Sequence, residues 1–375
     1  MSKNTKLVVF GSFGFGNVGD EAVPYAVEDL LLSIGIDRKV TIVSRFNNPK
    51  LENVIGLSDS YSSLLEELAD TPVIICGGGI IEPREMCCAL RFEKYLKMAR
   101  PSHSAIFAGS FEFGVDYGWI IKRKLRSTFS KIDNIYTRDY LSEIYLRENF
   151  PEVDASAIGD IVLGMKASEL RPGVVDFEGQ EYISVSLSAA WKSSPDWYDW
   201  ISIELQALSN DLDKPLLFVP MSCDKSDDDR IEHQVVIDKI ILLGIKNEPV
   251  AIVEPFLPRD MAAVFRDSLL VISMRLHGCV MSYGQMTPFV GLSYHPKLSG
   301  FAKTVGWQHF ILPYKEIPVK QDKGKYGYAF SSLKLDLGDL CRVANQAIEC
   351  GSFNLLPLFR ENLGQSLRDF LRRED

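Results

Sequence analysis

Short runs of β-branched and other apolar residues alternate with longer stretches bearing apolar residues every third or fourth position, and they do so twice along the chain. Strands separated by helices favour a parallel sheet, because each helix carries the chain back to the edge from which the next strand starts. In the first half the pattern predicts strands near 7–10, 40–44, 73–76, 105–108, 134–137 and 157–159. Helices are predicted between them at 21–34, 60–68, 86–99, 119–129 and 140–149. Residues 161–180 contain glycine and proline without a convincing period and mark a boundary. A strand at 182–187 opens a second series, with strands near 215–220, 250–252, 269–273 and 289–293. Its helices are expected at 197–211, 229–243, 258–266, 278–284 and 297–305. Residues 331–349 read as a further α/β segment, and 354–373 as an amphipathic helix with several arginines. The expectation is an α/β protein of two Rossmann-like domains, 1–165 and 178–350, facing across a cleft, with a C-terminal helix in 351–375 packed across them. That arrangement is called GT-B.

Charge and composition narrow the function. Fifty acidic against 41 basic residues give a net charge of -9, which argues against general nucleic-acid binding, since that needs a basic face to neutralise phosphates. The opening MSKNTK leads straight into a strand, and no apolar run approaches the roughly 20 residues that span a bilayer. A cytosolic protein is expected. The seven cysteines show no CxxC spacing and read as small buried hydrophobes, so no metal site is predicted.

Two glycine-rich turns follow strands of the first half. In GFGNVGDEA, Gly14 to Ala22, the first six residues have the spacing of a dinucleotide-binding turn. A dinucleotide site also wants an acidic residue at the end of the second strand, and here that position reads Ser44-Arg45-Phe46. Asp20 and Glu21 stand where a pyrophosphate would want positive charge; they suit the positive end of a helix dipole. Two readings remain open: an N-cap that only starts a helix, or a tight turn in which Gly16, Asn17 and Asp20 meet a neutral hydroxylated ligand such as a sugar. Gly77-Gly78-Gly79, leading to Glu82, follows the third strand, and allows close approach either of a ligand or of packed backbone.

The segment SMRLHGCVMSYGQMTPFVGLSYHPK, Ser273 to Lys297, is the most informative. One strand ends in Met274-Arg275-Leu276-His277 and the next in Tyr294-His295-Pro296-Lys297. Arg275, His277 and Lys297 therefore share one edge of a sheet, and with helix N–H groups they form an anion site in an acidic protein. A histidine kept protonated by nearby anions suits proton donation. Ser188, with Ser186 and Lys192, closes another strand and can add to an anion pocket. Arg138 ends a strand of the first half, where it either reaches the cleft or forms a surface pair with Asp139. The acidic run 222–229 reads as a solvated face. The basic run 119–131, interleaved with Trp119, Ile120 and Ile121, either rests on an anionic membrane surface or is a solvated helix face.

Taken together, GFGNVGDEA, CGGGIIE, YTRDYLSEIYL and SMRLHG with TPFVGLSYHPK resemble the polysaccharide pyruvyl transferase family, from about Lys6 to Gly306. The resemblance implies a GT-B-like fold and transfer of an enolpyruvyl unit from phosphoenolpyruvate to a sugar of a cell-surface glycan or its lipid-linked precursor, commonly leaving a pyruvate ketal. It implies that Arg275 binds the donor's phosphate or carboxylate, that His277 is the general acid, and that Lys297 is a further anion ligand. His295 departs from the family, which often has an acidic residue there. No cofactor beyond the co-substrate phosphoenolpyruvate is expected. The chemistry agrees: the enol ether becomes electrophilic at C2 once C3 is protonated, and a hydroxyl then attacks. Asp20 or Glu21 is the expected base for that hydroxyl, by inference from its position and not from the family. A GT-B glycosyltransferase using a nucleotide sugar, an NADP-dependent oxidoreductase and a glycan-binding protein without turnover are the rival readings.

Overall fold

The computed structural model describes residues 6–11, 13–14, 16–44, 54–56, 69–77, 79–81, 96, 100–111, 119–169, 175, 177, 179–189, 194–225, 227–252, 257–313 and 336–372. The chain divides into two compact units, Met1–Lys166 with Asn354–Asp375, and Ala167–Phe353.

In the first unit the elements are β1 (Lys6–Phe10), α1 (Val18–Ser33), β2 (Lys39–Ser44), β3 (Val54–Gly56), β4 (Val73–Cys76), β5 (Gly79–Ile81), β6 (Ser104–Phe111), α2 (Trp119–Phe129), β7 (Asn134–Thr137), α3 (Tyr140–Asn149) and β8 (Ala155–Ala157). Among the described residues its sheet runs β3-β2-β1-β4-β6-β7-β8, all parallel, with β5 beside β6. β4 and β6 are buried along their whole length, as expected of strands covered by helices on both faces. Most predicted strands and helices are present, but β3 and β5 were not foreseen, and 60–68 together with nearly all of 86–99 lies outside the described residues.

The second unit contains β9 (Ile183–Ser186), α4 (Pro195–Leu212), β10 (Leu216–Phe218), β11 (Cys223–Asp224), β12 (Asp227–Asp228), α5 (Asp229–Leu242), β13 (Val250–Ala251), α6 (Pro258–Arg266), β14 (Leu270–Ser273), α7 (Leu276–Gly284), β15 (Phe289–Ser293), α8 (Pro296–Thr304), β16 (Ile311–Pro313) and α9 (Asp339–Cys350). Its main sheet is parallel in the order β13-β10-β9-β14-β15-β16, while β11 and β12 form a separate antiparallel pair. Its core is aromatic around Trp307, whose indole N–H donates to Phe289 O at 2.9 Å and whose ring stacks on Phe353 at 5.1 Å.

The last helix, α10 (Leu356–Leu371), belongs to the first unit. It buries Leu363, Leu367 and Phe370, and Arg360 Nε donates to Leu163 O at 2.9 Å. Among the described residues no helix is long and apolar enough to cross a membrane.

Both sheets reverse direction of growth next to their first strand, between β1 and β4 and between β9 and β14. At such a point the connections leave on opposite faces and open a crevice at the carboxyl ends of the strands, the place where parallel α/β sheets bind ligands. GFGNVGDEA and Gly77 stand at the first reversal. Ser188 and Arg275 stand at the second.

Candidate functional site

At the second reversal the turn after β14 is pinned by its own backbone. Ser273 Oγ donates to Arg275 O at 2.8 Å, and a Cβ on Gly278 would lie 2.3 Å from that same Oγ, so only glycine fits. Arg275 occupies the N-cap of α7 in an extended conformation, and His277 lies half-buried in the first helical turn. The helix starts two residues before the predicted 278, which makes His277 its second residue.

Arg275 is gripped by carboxylates. Its Nε lies 3.1 Å from both oxygens of Asp229, and its Nη2 is 2.5 Å from Asp229 Oδ1 and 2.6 Å from Asp227 Oδ1. Asp229 has no exposed side-chain surface. It also accepts the amides of Ala189, Met221 and Ser222, each at 3.0 Å, and so joins the ends of β9, β10 and β14. Burial would lower the Arg275 guanidinium, but Asp229 beside it holds it above its ordinary value. The prediction of a solvated face for 222–229 is therefore corrected at Ser222 and Asp229, which are buried, while Lys225 is exposed. Asp229 opens α5 and turns inward, because three backbone donors and a guanidinium replace the water it loses.

His233, one turn along α5, is buried and takes the amide of Leu187 on Nε2 at 3.0 Å. Burial, and the charge of Arg275, push its imidazole down to about 3, so it is neutral and acts as an acceptor. Ser188 hydroxyl and Tyr294 hydroxyl are 3.3 Å apart, tying the end of β9 to the turn after β15. In that turn His295 caps α8: its Nδ1 accepts the Lys297 amide at 3.2 Å. The imidazole thus serves as the cap acceptor of α8. Lys297 is half-buried in the first turn of α8.

The structure gathers Arg275, His277, Ser188 and Lys297 at the carboxyl edge of one sheet. The other candidates belong to the first unit. Gly14 and Gly16 have φ of +90° and +75°, a conformation that glycine adopts without strain. Asn17 caps α1 through the Gly19 amide at 3.0 Å, and Glu21 turns back to accept the Gly16 amide at 3.1 Å. Glu21 is buried in that brace, whereas Asp20 is half-buried. Gly79 opens β5. Gly78, Glu82, Arg45 and Lys192 lie outside the described residues. Arg138 is not on the surface: it is 4% exposed, donates from Nη2 to Ser110 Oγ at 2.8 Å, and has Asp139 at 3.4 Å and Asp160 at 3.7 Å from Nε. Among the described residues no group of His, Cys, Asp or Glu is arranged to hold a metal ion.

The sequence profile of polysaccharide pyruvyl transferases matches residues 17–296, from the Asn17 cap to the first residue of α8. The chain belongs to the polysaccharide pyruvyl transferase family. Membership makes it a transferase of polysaccharide synthesis, with a sugar acceptor implied. No curated protein matches the sequence. Among solved structures, the Neisseria meningitidis UDP-GlcNAc 2-epimerase bound to UDP-GlcNAc has a TM-score of 0.57 at 12% identity, over 98% of this chain and 99% of that one. The Rickettsia bellii UDP-N-acetylglucosamine 2-epimerase gives 0.52 at 10% identity, over 98% and 96%. At these identities the likeness concerns the fold, and it gives this pyruvyl transferase family member the GT-B fold of two parallel-sheet α/β domains.

Asp227, Asp229 and Tyr294 were not among the residues expected at this site. The available signal was Asp229 itself, an acid at the start of a helix whose preceding loop follows the strand beside β9.

Proposed function

We propose that the protein transfers the enolpyruvyl unit of phosphoenolpyruvate to a sugar hydroxyl, with the donor held at the second unit's sheet reversal. The observation that carries this reading is Arg275, fixed by Asp229 at the N-cap of α7, two residues from His277. Phosphoenolpyruvate has a phosphate and a carboxylate, and the guanidinium, the helix N–H groups and Lys297 are suited to receive them. His277, as the acid, gives its proton to C3. The sugar oxygen then bonds to C2 and loses its proton to a base, the C2–O bond to phosphate breaks, and a second hydroxyl closes the ketal with loss of its own proton. The protein works without a metal in this scheme, since fixed cations carry the charge.

The acceptor is a sugar of a cell-surface glycan or of its lipid-linked precursor, and for the second the outward side of α2 supports a place at an anionic lipid surface. Trp119 and Ile120 are exposed, at 71% and 55%, Arg123 and Lys124 are exposed beside them, and the helix contains no acidic residue.

The test is incubation of purified protein with phosphoenolpyruvate or UDP-sugars and candidate sugar acceptors, with products read by mass spectrometry. Phosphate release coupled to a ketal-bearing acceptor is expected, and His277→Ala should lower the rate by about 10²- to 10⁴-fold while donor binding persists. Consumption of a UDP-sugar alone would replace this reading with that of a glycosyltransferase.

A further inference from the structure

The two carboxylates on Arg275 are held in different ways. Asp229 covers the edge of the guanidinium formed by Nε and Nη2, and is anchored in turn by three backbone amides. The opposite edge, Nη1 with Nη2, is the one on which a carboxylate or phosphate forms two parallel hydrogen bonds. Asp227 occupies one nitrogen of that edge, 2.6 Å from Nη2, and among the described residues Nη1 has no hydrogen-bond partner. Asp227 stands on β12, which among the described residues pairs only with the two residues of β11, and its side chain is 27% exposed. Among the described residues its carboxylate makes that single hydrogen bond. With both aspartates in place, the trio carries one net negative charge and repels an incoming anion.

We propose that Asp227 is a built-in occupant of the donor's anion position. It holds the outer edge of Arg275 while the site is empty, and its carboxylate leaves when the phosphate or carboxylate of phosphoenolpyruvate takes Nη1 and Nη2 together. This rests on the donor reading given above. The exchange also selects among anions. A monodentate, singly charged ion replaces Asp227 without gaining a hydrogen bond, whereas a bidentate one gains the contact to Nη1. Asp229 stays throughout, because removing it would strand three amides and a buried guanidinium.

The test is titration calorimetry of inorganic phosphate and of phosphoenolpyruvate with the wild type, Asp227→Asn and Asp227→Ser, with transfer kinetics on the same proteins. Both variants are expected to bind both anions roughly tenfold tighter, with a lower KM for phosphoenolpyruvate and no rise in kcat, because a like charge has been removed from the binding position. Asp227 is partly exposed on a short hairpin, and thermal melts matching the wild type verify that the variants fold. Unchanged or weaker binding in both would overturn the proposal, even where phosphoenolpyruvate is turned over and the donor reading stands. Tighter phosphate binding without any reaction of phosphoenolpyruvate would uphold the exchange at Arg275 and sink the donor reading instead.

Discussion

Each unit carries an arginine between two aspartates at the carboxyl edge of its sheet, and the two clamps are built on opposite plans. Around Arg138 the carboxylates stand off at 3.4 and 3.7 Å, and each has a backbone duty of its own: Asp139 caps α3 through the Ser142 amide at 2.8 Å, and Asp160 takes the Val162 amide at 3.0 Å. The arginine fills the space between two caps. Around Arg275 the contacts lie between 2.5 and 3.1 Å, and Asp229 collects amides from two different loops as well as the guanidinium. Here the carboxylate is the centre and the arginine is presented by it. The difference teaches that an Arg-Asp cluster is to be judged by which partner the backbone anchors.

The sharpest way to break that comparison is to remove one carboxylate from each clamp. Asp229→Ala is expected to cost about 3–5 kcal/mol, since it leaves a guanidinium poorly paired in a buried site and three amides unbonded. Asp160→Ala should cost only about 1–2 kcal/mol, the value of a lost cap. Urea unfolding of the two variants checks this, and equal losses would erase the distinction.

Next in size is an acid limb that belongs to the second unit. Folded His233 titrates at about 3, below the ordinary histidine value, so between these pH values the unfolded chain binds a proton that the folded chain does not. Stability from this group is complete above about pH 6.5 and falls by roughly 1.4 kcal/mol per unit as pH drops toward 3. His233→Gln keeps an acceptor for the Leu187 amide and should flatten this part of the curve. An unchanged pH profile of the midpoint would show that His233 is not the group responsible.

The smallest effect lies on the first unit's outer face. Replacing Arg123 and Lys124 by glutamine should weaken binding to phosphatidylglycerol vesicles by about 1 kcal/mol per residue and leave phosphatidylcholine vesicles unaffected. Wild-type protein that fails to sediment with either vesicle would remove α2 from any membrane role.

Much of this could be read before the structure. Strands of four or more residues with buried, β-branched sequences, such as 73–76 and 289–293, declare themselves by composition. Strands β3, β5, β11, β12 and β16 have two or three residues, too few for a period to show. The placement of His277 and Lys297 at one sheet edge was legible because each stands shortly after a strand end. The Asp229 contact was not, because it spans 46 residues and depends on β14 lying beside β9. Periodicity reports which residues form strands and is silent on which strands become neighbours. The burial of Arg138, expected as one alternative in a surface pair with Asp139, was hidden for the same reason: Ser110, which accepts from its Nη2, comes from a neighbouring strand.

The membership of α10 in the first unit has a consequence for biosynthesis. All of the second unit, 167–353, leaves the ribosome before the first receives the helix that brings Leu363, Leu367 and Phe370. The apolar surface on α1 and near Leu163 that α10 covers therefore stays exposed until the whole second unit and α10 itself have been made.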